Sequence, residues 1–324
     1  LKKLAKESKL TWYNIKPRSD VGLFYVMKYL LLSIWILISV ASAQLLPTVA
    51  GGTLIRHSQF PSSLVQPRNI EVWLPPGYDG KHPVDVLYMM DGQMLFDSNT
   101  TWNKQEWGVD ETLTRLIEQG TVEPTMVVAI WNIPKRRPEY FPKKVFFDIP
   151  LPLRDTIQQD IGGLPHSDDF LKFIVYELKP FIDSAYRTRK RPNHTFIMGS
   201  SMGGLIALYA MCEYPNVFGG AACLSTHWPG SVYHNTKEVP DAFAQYLSQN
   251  PAKPSTHKLY LDCGDKGLDA WYPYGQALIE DILQRKHYPT NKLKCYHAIG
   301  ADHTENAWSE RLNIPLTFLL RPKR

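Results

Sequence analysis

The chain reads as an α/β fold in which a mostly parallel central sheet carries helices on both faces. Three observations predict this. Short, almost wholly apolar runs at 84–90 and 125–131 have the composition of strands buried on both sides. Stretches with apolar residues at three-and-four spacing separate such runs, so strand and helix alternate along the chain. With 324 residues, 44% of them hydrophobic, there is enough apolar surface for one large core.

The elements follow in order. Strands are predicted at 69–74, 84–90 and 125–131, with an amphipathic helix over 109–118 that Gly120 ends. Residues 168–186 place Phe170, Phe173, Ile174, Leu178, Phe181 and Ile182 on one face of a long helix, interrupted by Pro180. Residues 193–198 form a strand and 205–212 a helix that stops before Pro215. Then come strand 219–224, helix 241–248, strand 258–263, helix 275–286, strand 292–299 and helix 306–320. The exception is 132–165, where Pro134, Pro138, Pro142, Pro150 and Pro152 break any period. A connection of that length is either a cap over a site or a disordered insertion, and Tyr140, Phe141, Phe146 and Phe147 favour the cap.

The N-terminus stands apart from the domain, which is placed at 68–324 behind an extension over 44–67. Met27-Lys28 opens a basic start, residues 29–40 are apolar, and Ala41-Ser42-Ala43 is a small-x-small cleavage signal. Residues 27–43 are therefore expected to be a signal peptide cut after Ala43, with export to the periplasm or outside the cell. The competing reading makes 23–40 a signal anchor. Residues 1–26, which begin with Leu, read as upstream read-through rather than structure. Once the leader is removed, no stable membrane insertion is expected.

The first 43 residues hold seven of the 36 basic and two of the 31 acidic residues, which leaves 29 of each in the rest. The formal charge of +5 thus belongs to the leader, and nothing else in the chain argues for nucleic acid as a partner. Cys212, Cys223, Cys263 and Cys295 show no metal-ligand spacing, so no metal is expected, and three of the four lie in strand-like runs as core filling. Mostly unpaired thiols are expected even in an oxidising compartment.

Gly199-Ser200-Ser201-Met202-Gly203 fits G-x-S-x-G, the nucleophile elbow in which a serine sits on a strained turn between strand and helix. The strand before it and the helix after it are both present. A serine hydroxyl needs a histidine to take its proton and an acid to orient that histidine. In α/β-hydrolases these follow in the order Ser, acid, His, on loops after later strands. His303, between the last strand and the last helix, fits the base. His227, just past the strand after the elbow, is the competitor, but the acid candidates follow it, which breaks the order. For the acid, Asp262 lies inside a strand, while Asp265 and Asp269 both sit in the loop beyond it. The oxyanion needs backbone donors, assigned to the N–H groups of Met202 and of Gln93 in the loop Asp91-Gly92-Gln93.

The segments MMDGQMLFD with WGVDETL, VVAIWN followed by RRPEYFP, FIVYELKPFIDSAYRT, GSSMGGL, LDCGDKGLDAWY and GADHTENAW resemble the Putative esterase family of α/β-hydrolases over roughly residues 68–320. That family includes feruloyl and acetylxylan esterases, siderophore esterases, S-formylglutathione hydrolases and mycolyltransferases. The resemblance implies Ser201 as nucleophile and His303 as base. It favours Asp269 over Asp265 as acid, although Gly264-Asp265 departs from the family's commoner Gly-Thr turn. The expectation is a secreted serine carboxylester hydrolase working through an acyl-enzyme without a cofactor. Its substrate is a small ester or an ester linked to polysaccharide, such as the feruloyl or acetyl groups of plant cell walls. Trp228, His227, Tyr140 and Phe141 are expected to wall the acyl group. An acyltransferase or a siderophore or other small-ester hydrolase would use the same residues, and a non-catalytic carbohydrate-binding protein would keep the fold without them.

Overall fold

The structure is a computed structural model that describes residues 45–250 and 254–322. The expected upstream segment 1–26 and signal peptide 27–43 lie outside the described residues.

Among the described residues, eight strands form one sheet: β1 (Thr53–Phe60), β2 (Arg68–Leu74), β3 (Asp85–Met89), β4 (Thr125–Ile130), β5 (Thr195–Ser200), β6 (Gly220–Leu224), β7 (Lys258–Cys263) and β8 (Leu293–His297). Their order is β1-β2-β4-β3-β5-β6-β7-β8. β1 and β2 run antiparallel to their neighbours, and β4 through β8 are parallel by way of β3. β1 comes from the stretch read as an extension; it pairs with β2 from Thr53 opposite Leu74 to Phe60 opposite Arg68. Its alternation is poor because only Leu54 of the strand is buried, as suits an edge.

The helices are α1 (Val109–Glu118), α2 (Arg136–Tyr140), α3 (Lys143–Asp148), α4 (Leu153–Ile161), α5 (Ser167–Lys172), α6 (Lys179–Ala185), α7 (Met202–Glu213), α8 (Glu238–Gln249), α9 (Pro273–Arg285), α10 (Glu305–Arg311) and α11 (Asn313–Leu320). The sheet separates them. On β3, Val86 and Tyr88 join a core with Ile174, Leu205 and Ile279, while Leu87 and Met89 join a second core with Leu113, Trp308 and Leu316. Successive strand side chains point to opposite faces, so a strand apolar at every position feeds both cores. Helices on both faces follow directly.

Two differences from the sequence reading have clear causes. The single helix expected over 168–186 is α5 and α6 joined by a π-helical turn, Phe173–Leu178, immediately before Pro180. Pro180 has no N–H for the preceding turn, and the wider turn absorbs the mismatch. The proline-rich stretch is ordered as α2, α3 and α4, and Tyr140, Phe141 and Phe146 are wholly buried in it. Among the described residues no disulfide joins the four cysteines, and no helix is long and apolar enough to cross a membrane.

After β3 the chain steps outward to β4 and then crosses back to place β5 on the other side of β3. A parallel sheet opens a crevice at the C-terminal ends of its strands where the winding reverses, here above β3 and β5.

The proline-rich stretch is fixed to the sheet by charge. Arg68 of β2 donates to both oxygens of Glu139 of α2, at 2.8 and 2.7 Å, and both side chains are buried. The guanidinium also lies over the rings of Phe170 and Phe173. Removing one partner strands the other charge in the core. Glu139→Gln is expected to lower the unfolding free energy by about 3 kcal/mol, read from urea denaturation.

Candidate active site

The site is built on the turn after β5. Ser201 has φ 57° and ψ −125°, a backbone region that side chains other than glycine rarely occupy. Surrounding bonds hold it there: its N–H donates to Leu224 O at 2.9 Å, and its carbonyl accepts from Gly204 and His227 N–H at 3.0 and 3.2 Å. Gly199 is required because a Cβ there would stand 2.5 Å from the carbonyl oxygen of Gly203. The turn leads into α7, so the Met202 N–H lies in the first helical turn, where no intrahelical acceptor exists.

His303 reaches the site from the loop after β8. Its Nδ1 lies 2.5 Å from Oδ1 of Asp269, which the short turn Gly267–Trp271 after β7 carries. The two loops lie against each other because Asp265 and Lys266 N–H both donate to Ala301 O, a contact so close that a Cβ on Gly264 would stand 2.2 Å from that oxygen. Asp265 itself accepts from Gly300 N–H at 2.8 Å and stays at the surface. Of the two aspartates left open by the sequence, the geometry brings Asp269 to the histidine.

Asp269 is fully buried, and its second oxygen accepts from Ser225 Oγ at 2.5 Å and Gly264 N–H at 2.6 Å. Burial works to raise its pKa. The hydrogen bond and charge of His303, with the Ser225 and Gly264 donors, outweigh it and hold the carboxyl below its ordinary range. Ser225 Oγ in turn accepts from Trp308 Nε1 at 3.0 Å and Arg311 Nη2 at 2.9 Å, and Arg311 pairs with Asp262 inside β7. The edge of Trp308 meets the His303 ring at 5.0 Å, with an interplanar angle of 85°.

Ser201 and His303 open on one cleft of about 570 Å³, lined also by Gln93, Trp102, Asn132, Arg136 and Trp308. Gln93 follows Asp91, which has φ 56°, and its side chain accepts from Asn132 N–H at 3.1 Å. The Asp91 carboxylate is gripped by Arg136 through Nε and Nη2, at 2.7 and 2.8 Å, and by Asn132 Nδ2 at 2.6 Å. This clamp fixes the loop that presents the Gln93 N–H.

The expected acyl-group wall is not there. Trp228, His227, Tyr140 and Phe141 are all buried and none lines the cleft. Trp228 turns inward on Phe243 and donates to Gln276 Oε1 at 3.0 Å. Tyr140 packs on Phe170 and Phe141 on Phe243, so the proline-rich stretch spends these aromatics on anchoring itself to the helices below. The aromatic rings that do line the cleft are those of Trp102, Trp107 and Trp308. Trp308 and Arg136 lie within GADHTENAW and RRPEYFP, segments the sequence comparison already singled out, whereas Trp102 carries no sequence signal.

The model of the family described as Putative esterase matches residues 62–319. The chain belongs to this esterase family. The esterase is 24% identical over 248 residues to the siderophore enterobactin esterase of Emericella nidulans, covering 74% of this chain and 75% of that protein. Among solved structures it resembles a ferulic acid esterase (TM-score 0.59, 18% identity, 83% of this chain and 98% of that one). It also resembles the enterobactin esterase FES of Shigella flexneri (TM-score 0.60, 19% identity, 84% of this chain and 60% of that one). At such identities the structural likeness is one of fold, and it is the α/β-hydrolase fold.

His227 has a measurable consequence. Burial, and then the charges of His303, Arg136 and Arg137, push its pKa down to about 3, against roughly 6.5 in an unfolded chain. Between those values the unfolded state binds one more proton, so stability falls as pH falls through that window, by at most about 1.4 kcal/mol per pH unit. His227→Asn removes this titration. The stability difference between wild type and variant, followed by denaturation from pH 7 to 4, is expected to shrink as the pH drops.

Proposed function

We propose that this esterase is a serine carboxylester hydrolase acting through an acyl-enzyme. The carrying observation is the 2.5 Å contact of His303 with buried Asp269, opening on the same cleft as the strained Ser201. Ser201 Oγ attacks the ester carbonyl as His303 takes its proton, and the charged imidazole is held by Asp269. The Met202 and Gln93 N–H groups receive the oxyanion, His303 returns the proton to the leaving alcohol, and water repeats the sequence to free the acid.

The substrate is an ester linked to a plant polysaccharide, its acyl group feruloyl or acetyl. Trp102 supports this reading: a tryptophan 83% exposed at the rim of the cleft offers a flat face to a sugar ring. Beside it, Gln93, Asn103, Gln105 and Asn132 give the cleft amide groups suited to hydroxyls. The protein is exported, with its leader cut after Ala43, and meets that substrate outside the cytoplasm.

On p-nitrophenyl acetate and methyl ferulate, Ser201→Ala and Asp269→Asn are each expected to lower kcat roughly 10,000-fold. Equal rates in wild type and Ser201→Ala would end the serine mechanism. Trp102→Ala is expected to raise KM about fivefold for a feruloylated arabino-oligosaccharide and to leave methyl ferulate unchanged. N-terminal sequencing of exported protein is expected to begin at Gln44.

A further inference from the structure

Arg136 is a wall shared by two hollows. Its Nε and Nη2 are bound to Asp91, so the guanidinium stands fixed beside the Ser201 cleft, and it also lines a second recess of about 670 Å³. Arg137, Gln159, Asp160 and Tyr233 line that recess as well. They come from α2, α4 and the loop between β6 and α8, and the ester chemistry uses none of them.

A buried network holds the rim of the recess. Ser231 is 3% exposed; its Oγ donates to Asp160 Oδ2 and accepts from the N–H groups of Tyr233 and His234, at 3.0 and 3.1 Å. Nδ1 of His234 lies 2.8 Å from the same Asp160 oxygen. The proton and both lone pairs of one hydroxyl are thus spent on the turn that carries Tyr233. Tyr233 itself is 66% exposed. Its backbone is tied down while its ring is left in water, so no loop has to be ordered when a flat ring settles on it.

The charges around the recess do not cancel. Arg136 is matched by Asp91, and the Asp160 carboxylate is taken up by Ser231 and His234. Arg137 donates through Nη1 to the Asp160 carbonyl at 3.0 Å, and among the described residues no ion pair meets its charge. A half-buried guanidinium in that position suits a carboxylate, which it can meet with two parallel N–H groups. Uncharged sugar hydroxyls would draw no such gain from it.

We propose that this recess is a second substrate subsite, which takes a uronate residue of the polysaccharide bearing the ester, its ring on Tyr233 and its carboxylate on Arg137. The sugar chain lies across the Arg136 wall, with the ester at Ser201 and the acidic residue beyond. The inference rests on the reading of the substrate as a polysaccharide ester.

The full chain is assayed for acetate release from two acetylated xylo-oligosaccharides that differ only in a glucuronic acid branch. p-Nitrophenyl acetate serves as a reference without sugar, and thermal unfolding checks folding. At low salt, KM for the acidic oligosaccharide is expected to lie roughly tenfold below that for the neutral one, and the gap to narrow as ionic strength rises. In Arg137→Gln the two KM values are expected to meet, and in Arg137→Lys to stay apart by a smaller factor. Tyr233→Ala is expected to raise KM for the acidic oligosaccharide about fivefold.

Equal KM for the two oligosaccharides in wild type, or a gap that survives in Arg137→Gln, would overturn the proposal and leave the polysaccharide reading standing. If Arg137→Gln does not fold, Tyr233→Ala, which removes an exposed ring, decides: an unchanged KM for the acidic oligosaccharide overturns the proposal, and the expected rise supports it. Hydrolysis of p-nitrophenyl acetate with neither oligosaccharide cleaved would overturn the polysaccharide reading and this inference together.

Discussion

The site depends on a buried polar network at the C-terminal ends of β6 and β7. Asp262, Asp269 and Arg311 are removed from water there, and ions in such a place persist only when nearly every lone pair and proton is matched. Ser225 links them: its N–H donates to Asp262, its hydroxyl donates to Asp269, and that hydroxyl accepts from Arg311 and Trp308. Three chain segments, at Ser225, at 262–269 and at 308–311, are thus bound at one point. Asp269 is held by the same bonds that hold the helix following His303, so the spacing of the two does not rest on the loops alone.

A second constraint sits on the other side of the cleft. The backbone at Asp91 is left-handed, and its carboxylate is clamped by Arg136 and Asn132. The clamp draws on the proline-rich stretch, which Arg68 and Glu139 fix to the sheet. The stretch therefore acts as a strut: it supports the loop bearing the Gln93 N–H rather than covering the cleft with its aromatics.

What the sequence made legible follows the physics of each feature. Strands buried on both faces are continuous apolar runs, and those over β3, β4 and β7 were bounded to within a residue or so. β1 escaped because an edge strand buries little and shows no clean alternation. Ser201 was legible because its strained turn demands glycines at fixed positions, and His303 because its place between the last strand and helix is a matter of topology. Asp265 and Asp269 were inseparable by residue type and place; only folding shows one reaching the surface and the other the histidine. The aromatics Trp228, Tyr140 and Phe141 turn inward instead of lining the cleft. Sequence tells that a ring lies near the mouth of a sheet, but its direction is set by packing partners such as Phe243 and Phe170.

The components of the site are spread unevenly along the chain. The strained serine turn is complete by α7, while the carboxylate arrives after β7, and the imidazole with the arginine that steadies its partner comes only with α10. On the ribosome the chain emerges in that order. The turn bearing Ser201 is made early, well before His303 and Arg311. A half-built molecule thus carries the Ser201 turn before His303 and Asp269 can be brought beside each other.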